Sequence, residues 1–294
     1  SLDVRGAVLA TGASTLLVFG LTAGGSGASP LIVAALILGV IVLVAFFLSQ
    51  RNATHPVLPL SMFANRSRAA VFVCLLLVGA LMMAMTVQVA LFVQEVLQYT
   101  PLQAGLAFIP FAFALGAGSA LAGKVAETVA PRYIAAVGGA ILIGGFVYGS
   151  TLDTSASYWP DLLIPILIIG AGIGIVLIPL TLSVVAGVTP DEVGPLTATS
   201  LVCQTLGGPL GLAGVTAFSE RVARSALGDP GFESLDRSLL NNVERDALGA
   251  GYTDSLLICA TLAALVVIIC LTLVRFTPED IREGKVAEEL ANQG

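Results

Sequence analysis

The chain consists of long apolar runs separated by short segments that hold nearly all of its charged residues. Each run continues for roughly 18–26 residues without Asp, Glu, Lys or Arg, and about 20 apolar residues are needed to cross the hydrocarbon core of a bilayer. The runs are too long for membrane strands and show no strict alternation of period two, so they are predicted to be helices. The eight predicted spans are residues 6–24, 31–49, 69–94, 103–122, 133–151, 162–187, 194–218 and 254–275.

Composition agrees with this pattern. Of the 294 residues, 56% are hydrophobic and 11% are charged, whereas a soluble domain carries about 25% charged residues. The mean hydropathy is +0.97. The net charge of -6 says little about nucleic acid, because the charges are predicted to lie in loops on two sides of a membrane. The sequence therefore predicts an all-α membrane protein with eight transmembrane helices.

The distribution of Lys and Arg predicts the orientation. If the first residue is cytoplasmic, the three short outer turns carry no basic residue, and the only basic residues outside lie in one long loop, 219–253, where they mix with acids. The positive-inside rule counts short loops most and so favours this orientation, with both ends cytoplasmic. The basic residues then placed inside are Arg5, Arg51, Arg66, Arg68, Lys124, Arg132, Arg275, Arg282 and Lys285.

The sequence offers no catalytic or metal-binding set. All 19 acidic residues lie in loops or at span ends, although intramembrane carboxylates are the usual proton and ion sites. Glu95, at the outer end of the third span, is interpreted as a solvated helix terminus rather than a gate or a protonatable carboxylate. The single histidine, His55, has no Cys or carboxylate neighbour and cannot form a metal site alone. We therefore predict no enzyme activity, no metal and no cofactor.

Two glutamines are predicted to lie in the middle of spans, where an amide needs partners. Gln88 is accompanied by Thr86, and Gln204 by Thr205. Such side chains should face the bundle interior or a cavity rather than lipid. Hydrogen bonding between helices and lining of a substrate cavity are both open interpretations for each glutamine.

Several spans contain residues that would break a soluble helix. In the stretch TSLVCQTLGGPLGLAG (199–214), each interior Gly would cost about 1 kcal/mol and the Pro about 3 kcal/mol relative to Ala. In a bilayer, small residues allow close helix approach, and neighbours can satisfy backbone groups freed by proline. Kinked, closely packed helices are typical of alternating-access carriers, although packing alone is an alternative. The residues assigned to kinks and packing are Pro110, Pro179, Gly207, Gly208, Pro209 and Gly211.

Three segments resemble motifs of one transporter family, and they occur along the chain in the same order as in that family. The family is the fourteen-span drug:proton antiporters of the major facilitator superfamily, the QacA and EmrB type. The segments are HPVLPLSMF (55–63), LQYTPLQAGLAFIPF (97–111) and GPLTATSLVCQTLGGPLGLAG (194–214). The chain departs from that pattern at Pro195 and at Thr197-Ala198-Thr199. The loop AETVAPRY (126–133) keeps only Arg132 of the basic residues common there.

The resemblance implies an organisation for the whole chain. Residues 1–49 would be two central transmembrane helices and 69–276 the carboxy-terminal six-helix bundle. The prolines and arginines of 50–68 by themselves predict a cytoplasmic linker, and Thr277 as N-cap, Pro278 and the acids after it predict that 277–294 is a cytoplasmic tail helix. The amino-terminal six-helix half, which holds most proton-coupling residues in this family, would be missing. By position, the resemblance implies four substrate-cavity candidates, Gln88, Phe108, Phe111 and Gln204.

The implied function is proton-driven export of hydrophobic or amphipathic compounds, as in multidrug efflux, from a bacterial plasma membrane. Sugars or organic anions would call for Arg or Lys inside the spans, and none is found there. A lipid transporter of the same fold is one alternative. Another is a non-transporting membrane scaffold, or a half-carrier that needs a partner chain.

Overall fold

The computed structural model describes residues 8–9, 11–13, 15–16, 19–20, 30–51, 65–153, 155–228 and 241–291. All regular elements in these ranges are helices, as the fold-class prediction required. From residue 30 onward they are α1 (Pro30–Arg51), α2 (Arg66–Leu91, continued by a π-helical turn at Phe92–Val96), α3 (Pro101–Ala107), α4 (Ile109–Val125), α5 (Pro131–Gly149), α6 (Leu163–Val184, preceded by a π-helical turn at Tyr158–Leu162), α7 (Pro190–Leu227), α8 (Asn242–Leu273) and α9 (Pro278–Ala291).

Six helical segments in the described part of the chain are long and apolar enough to cross a membrane. They correspond to the third to eighth predicted spans. The second predicted span falls on α1, whose apolar stretch Pro30–Val42 is shorter than the other six, and most of the first span lies outside the described residues. The total of eight therefore stays a prediction. The six segments are Arg66–Val96, Pro101–Val125, Pro131–Gly149, Tyr158–Val184, Pro190–Leu227 and Asn242–Leu273.

Local sequence determines where several of these helices begin. Thr100 and Gln103 form a capping box at the start of α3, in which each side chain accepts a bond from the other residue's backbone N–H. Asn241 and Glu244 do the same at the start of α8. Proline at the first position also starts α3, α5 and α7, where its missing N–H needs no intrahelical partner.

The six spans form two interlocked groups of three. The first group is α2, α3–α4 and α5, and the second is α6, α7 and α8. The first helix of each group packs along the second helix of the other, so that α2 contacts α7 and α6 contacts α4. Helices α5 and α8 pack against each other and complete the bundle through contacts with α6 and α2 respectively.

Glycine allows α2 and α7 to touch through their backbones. A Cβ at position 207 would clash with the carbonyl oxygen of Leu76 and lie 2.8 Å from its carbonyl carbon. A Cβ at position 211 would lie 2.6 Å from the Cα of Ala80. From the other side, a Cβ at position 79 would lie 2.9 Å from the carbonyl carbon of Gln204. Because real Cβ contacts are not this short, only glycine permits the observed separation of the two helices.

The contact between α4 and α6 is built in the same way. A Cβ at position 170 would lie 2.8 Å from the carbonyl oxygen of Phe111, and one at position 174 would lie 2.8 Å from the backbone nitrogen of Ser119. On α4, a Cβ at position 118 would clash with the carbonyl of Ala171. The two crossings that join the three-helix groups are therefore both backbone contacts at small residues.

The prolines have different effects in different spans. Helix α7 runs without interruption through Pro195 and Pro209, and α6 through Pro179. The helical span that contains Pro110 is broken, because α3 ends at Ala107 and α4 begins at Ile109. Kinks were predicted at Pro110, Pro179 and Pro209 alike. The sequence does not show whether a carbonyl that loses its intrahelical donor to a proline finds another donor nearby.

The long helices extend beyond the predicted membrane boundary. Residues 219–253 were assigned to an outer loop, but α7 continues to Leu227 and α8 begins at Asn242. Both helices stay regular outside the apolar region because their backbone bonds are internal, and the Asn241 side chain also accepts from one of the free N–H groups in the first turn of α8, that of Glu244. Residues 229–240, most of the connection, lie outside the described residues.

At the end of the bundle where α2 begins, here called the Arg66 end, the tail helix α9 packs under the turn between α6 and α7. Ile281 is 1% exposed, and a Cβ at Gly284 would lie 2.9 Å from the carbonyl carbon of Val185. Arg68 Nη2 donates a hydrogen bond of 2.9 Å to the carbonyl of Ala186 in the same turn. The turn is thus held from α2 and from α9 at once.

Candidate functional site

The structure places Gln88 inside the bundle, against α8. Its side chain is 1% exposed, and Nε2 donates a hydrogen bond of 2.7 Å to Ser255 Oγ. The Ser255 hydroxyl in turn donates at 2.7 Å to the carbonyl of Tyr252. Gln88 therefore makes the interhelical hydrogen bond that was one of its two interpretations, and a role in binding substrate stays a prediction.

The same network continues to a carboxylate. The Tyr252 hydroxyl donates to Glu95 Oε2 in the π-helical turn that extends α2. Tyr252 is 5% exposed and Glu95 is half-buried. The interpretation of Glu95 as a simple solvated terminus was incomplete, because it did not anticipate a tyrosine partner from a segment assigned to a loop. Two side-chain hydrogen bonds therefore join α2 to α8 here, Gln88 to Ser255 and Tyr252 to Glu95.

A small cavity of about 20 Å³ lies beside this network. Gln88, Tyr252 and Thr253 contribute to its wall. The remaining wall is apolar and comes from α2, α5, α6, α8 and the turn between α5 and α6, for example Phe92, Ile169 and Leu256. This volume admits no drug-sized cargo, since pockets for such ligands occupy roughly 300–1,000 Å³.

A larger cavity, of about 370 Å³, opens at the end of the bundle where the π-helical turn of Tyr158 begins, here called the Tyr158 end. Its wall includes Asp153, Asp246 and Asp254. Hydrogen bonds from the hydroxyl and the backbone N–H of Ser155 hold the pKa of Asp153 below its ordinary value. Among the described residues, no group of three or more His, Cys, Asp or Glu is arranged to hold a metal ion, and His55 lies outside the described residues.

The two predicted aromatic cavity residues lie at the break between α3 and α4. The rings of Phe108 and Phe111 meet edge to face, with centroids 6.4 Å apart. The Tyr158 hydroxyl donates a hydrogen bond of 2.9 Å to the carbonyl of Ala107, where α3 ends. Because Pro110 and the break remove intrahelical donors here, Tyr158 stabilises the interruption from a neighbouring span. The sequence shows only that Tyr158 lies near the end of an apolar run, which does not reveal this bond.

Gln204 lies apart from Gln88. It is half-buried on α7, and its backbone contacts Gly79 on α2. Gly79 and Gln88 are roughly nine residues, or about 13 Å of helix rise, apart along α2. The structure therefore brings Phe108 and Phe111 together but does not gather all four candidates into one cluster within this chain.

Comparison with known proteins gives a consistent set of relatives. No protein-family model matches the chain. The chain is 35% identical, over 296 residues and its whole length, to the uncharacterized MFS-type transporter EfpA of Mycobacterium tuberculosis, of which it covers 55%. It is 32% identical over 236 residues to the puromycin resistance protein pur8 of Streptomyces alboniger, with 78% of the chain and 46% of that protein covered.

A solved structure shares the fold. It is the crystal structure of a bacterial homologue of the human lysosomal transporter Spinster, with a TM-score of 0.62, 16% identity, and coverage of 85% of this chain and 58% of that one. At this identity the likeness shows the fold alone. The chain spans about half the length of the curated relatives it matches.

Proposed function

The chain belongs to the major facilitator superfamily of membrane transporters, and on that basis we propose that it forms the carboxy-terminal half of an exporter that works by alternating access. The class of its relatives agrees with the prediction that it is not an enzyme. The amino-terminal six-helix half would be the partner with which α2–α8 form the transport pathway. The match covers 55% of the first relative, and this partial coverage supports the proposal that the full-length protein contains a second half.

The observation that carries the proposal is the pair of backbone crossings, α2 with α7 and α4 with α6. At both crossings, glycine replaces interdigitating side chains with direct helix–helix contact. Such a contact fixes the distance between two helices without locking their angle through large side chains. It therefore suits helices that must tilt together when a carrier opens first to one side and then to the other.

The cargo class follows from charge. The described parts of the predicted span centres, residues 69–94, 103–122, 133–151, 162–187, 194–218 and 255–274, contain no Asp, Glu, Lys or Arg. A pathway wall built from these segments offers no counter-ion to a sugar phosphate or an organic anion. We therefore infer hydrophobic or amphipathic cargo. The energy source in this proposal is the proton gradient, with the coupling residues in the amino-terminal half.

The positive-inside pattern supports a cytoplasmic position for the Arg66 end, with the protein in a bacterial plasma membrane. Arg66, Arg68, Lys124, Arg132 and Arg275 all lie at this end. In this orientation, export carries cargo from the Arg66 end towards the Tyr158 end.

The test is drug accumulation in cells that express the full-length protein carrying this chain. Gln204→Leu removes a polar group from α7, and Gln88→Leu removes one from α2. Gln94→Leu is the matched control, because the Gln94 amide donates a hydrogen bond of 3.3 Å to the carbonyl of Ala90, one turn earlier on the same span. We expect Gln204→Leu to change the range of exported compounds at least several-fold for some substrates, while Gln94→Leu leaves it as in the parent.

The competing interpretations predict different results. A non-transporting scaffold would show equal dye accumulation with and without the protein, and no effect of any glutamine substitution. For the lipid alternative, the decisive step is competition, in which phospholipid or triacylglycerol is added to a dye-efflux assay. Displacement of dye by lipid would favour the lipid transporter, and the absence of displacement would favour drug export.

A further inference from the structure

An open groove of about 200 Å³ lies between α4 and α5 at the Arg66 end of the bundle. Its wall is apolar and comes from both helices, from their connection and from Ile175 of α6. Leu121 on α4 and Val137 on α5 are each 58% exposed, so the groove opens on the outer surface of the bundle. The buried wall residues Ala122 and Ile134 belong to a second, smaller apolar cluster besides the main core.

The groove lies where these two helices leave the apolar part of the membrane. Helix α4 ends at Val125 and α5 begins at Pro131, and Val129 in the connection belongs to the wall. The wall continues along α5 through Tyr133 to Val137, which is about 6 Å further into the span by helix rise. One end of the groove is therefore at the depth of lipid headgroups, and the other is at the depth of acyl chains.

Two basic side chains lie at the headgroup end of the groove. Lys124 is exposed and directly precedes the wall residue Val125. The Arg132 guanidinium lies over the ring of Tyr133, 4.7 Å from its centroid, and Nη2 donates a hydrogen bond of 3.0 Å to the Tyr133 hydroxyl. Because this ring is part of the wall, the guanidinium is held beside the groove. Within the described ranges, neither Lys124 nor Arg132 forms an ion pair with another residue.

The connection between α4 and α5 also carries an acid, Glu127, whose charge has a different partner. Lys285 Nζ on α9 lies 3.4 Å from Glu127 Oε1, and Arg282 Nη2 donates a hydrogen bond of 2.8 Å to the Glu127 carbonyl. The Glu127 carboxylate is therefore offset from α9. Lys124 and Arg132 stay available to an anion outside the protein.

The combination of an apolar wall and two cations selects among ligands. A free phosphate ion would pair with the cations but would not use the apolar wall. A neutral apolar molecule would cover the wall and leave the cations without a partner. An anionic phospholipid does both, and basic pockets between transmembrane helices are typical sites for such headgroups. The groove is smaller than the roughly 300–1,000 Å³ of drug-sized pockets and suits part of one acyl chain.

We propose that this groove binds one anionic phospholipid of the surrounding leaflet. Its phosphate lies beside Lys124 and Arg132, and part of one acyl chain covers the wall from Tyr133 to Val137. Tyr133 orients the guanidinium through its ring and its hydroxyl, and so links the polar and apolar parts of the site. The lipid is a resident of the outer surface of the bundle and not cargo, so the proposal does not rest on the proposed transport function.

The test is native mass spectrometry of the full-length protein carrying this chain, released from vesicles of equal dioleoylphosphatidylglycerol and dioleoylphosphatidylcholine. The two lipids have the same acyl chains and differ in net charge, and we expect the parent to retain phosphatidylglycerol in preference. Arg132→Gln and Lys124→Gln should each lower the retained ratio of phosphatidylglycerol to phosphatidylcholine about fivefold, since a basic residue near an anionic membrane surface contributes about that factor. Arg66→Gln, which removes an exposed charge of α2 at the same end, is the matched control and should leave the ratio unchanged.

Three results of this experiment would overturn the proposal. The first is equal retention of the two lipids by the parent. The second is an equal fall in the ratio for Arg132→Gln and Arg66→Gln, which would show a general attraction of this end of the protein for anionic lipid. The third is an unchanged ratio in both Arg132→Gln and Lys124→Gln, which would show that another part of the full-length protein covers the groove or that no lipid occupies it.

A second experiment separates the acyl chain from the headgroup. Phosphatidylglycerol should raise the melting temperature of the parent in detergent above that in phosphatidylcholine, whereas soluble glycerol phosphate at the same concentration should not. Val137→Trp fills the groove from α5 and should abolish the difference between the two lipids. Val147→Trp, at an exposed position of the same helix outside the groove, should keep it. A full shift with glycerol phosphate, or with phosphatidylglycerol in Val137→Trp, would show that no acyl chain lies in the groove and would contradict the proposal.

Discussion

The close approach of α2 and α7 predicts that alanine at position 207 destabilises the protein, although alanine normally strengthens a helix. Alanine favours a helix interior by about 1 kcal/mol over glycine. At position 207, however, the new methyl group would clash with the carbonyl of Leu76, and the nearest carbonyl carbon would be 2.8 Å away. No change of side-chain rotamer relieves a contact with backbone, so the two helices would have to separate.

The size of the effect follows from two opposing contributions. Overpacking a core costs about 1–3 kcal/mol, and a backbone contact belongs at the upper end of that range. After subtraction of the helix-propensity gain, the net loss is about 2 kcal/mol. For a bundle of this size, that loss corresponds to a fall in melting temperature of about 4–8 °C.

Gly214 provides a matched control on the same helix. No heavy atom lies within 4 Å of the position that a Cβ would occupy there. Gly214→Ala should therefore keep or raise the melting temperature, by at most about 1 kcal/mol of added stability. The assay is fluorescence-detected size exclusion of detergent-purified protein after heating. If Gly207→Ala and Gly214→Ala shift the melting temperature in the same direction and by the same amount, the inferred backbone contact is wrong.

Three further substitutions test other contacts. Tyr252→Phe removes the hydroxyl that donates to the Glu95 carboxylate and should lower the stability of the folded protein by about 1.5–3 kcal/mol. Its melting temperature should therefore fall below that of Tyr148→Phe, a control at an exposed position. Tyr158→Phe leaves the carbonyl at the end of α3 without its hydroxyl donor and should cost about 1 kcal/mol in the same assay, and a loss no larger than that of the control would contradict the bond. Gly284→Ala should push α9 away from the turn between α6 and α7, so limited trypsin digestion should remove the tail faster than in Val286→Ala, which changes an exposed position. Equal digestion rates would contradict the docking of α9.

Bilayer thickness made the six spans of the bundle predictable from sequence. Apolar runs of the required length correspond to helices wherever the structure describes them. The capping box of Thr100 and Gln103, which starts α3 three residues before the predicted span, was not identified from the sequence. The same reasoning placed residues 219–253 in a loop, because charge marks where a membrane ends and not where a helix ends. Helices α7 and α8 continue through much of that segment.

The polar network could not be predicted in the same way. Gln88 was identifiable as a buried amide, since a mid-span glutamine needs a partner. Its partner Ser255 lies far along the chain, and the pairing depends on which face of α2 meets α8. Tyr252 was missed because the predicted boundary placed it outside the membrane. The bond from Tyr158 to the end of α3 was missed for a related reason, because the carbonyl it satisfies is set free only by the break at Phe108.

Dye flux in proteoliposomes that contain the full-length protein carrying this chain decides between proton-driven export and a non-transporting bundle. A lipophilic dye is loaded, a proton gradient is imposed in either direction, and the initial flux is recorded. For an exporter driven by the proton gradient, we expect dye movement that requires the gradient, reverses when the gradient is reversed, and changes in substrate range with Gln204→Leu but not with Gln94→Leu. Dye movement equal to that of protein-free liposomes under both gradients would contradict it.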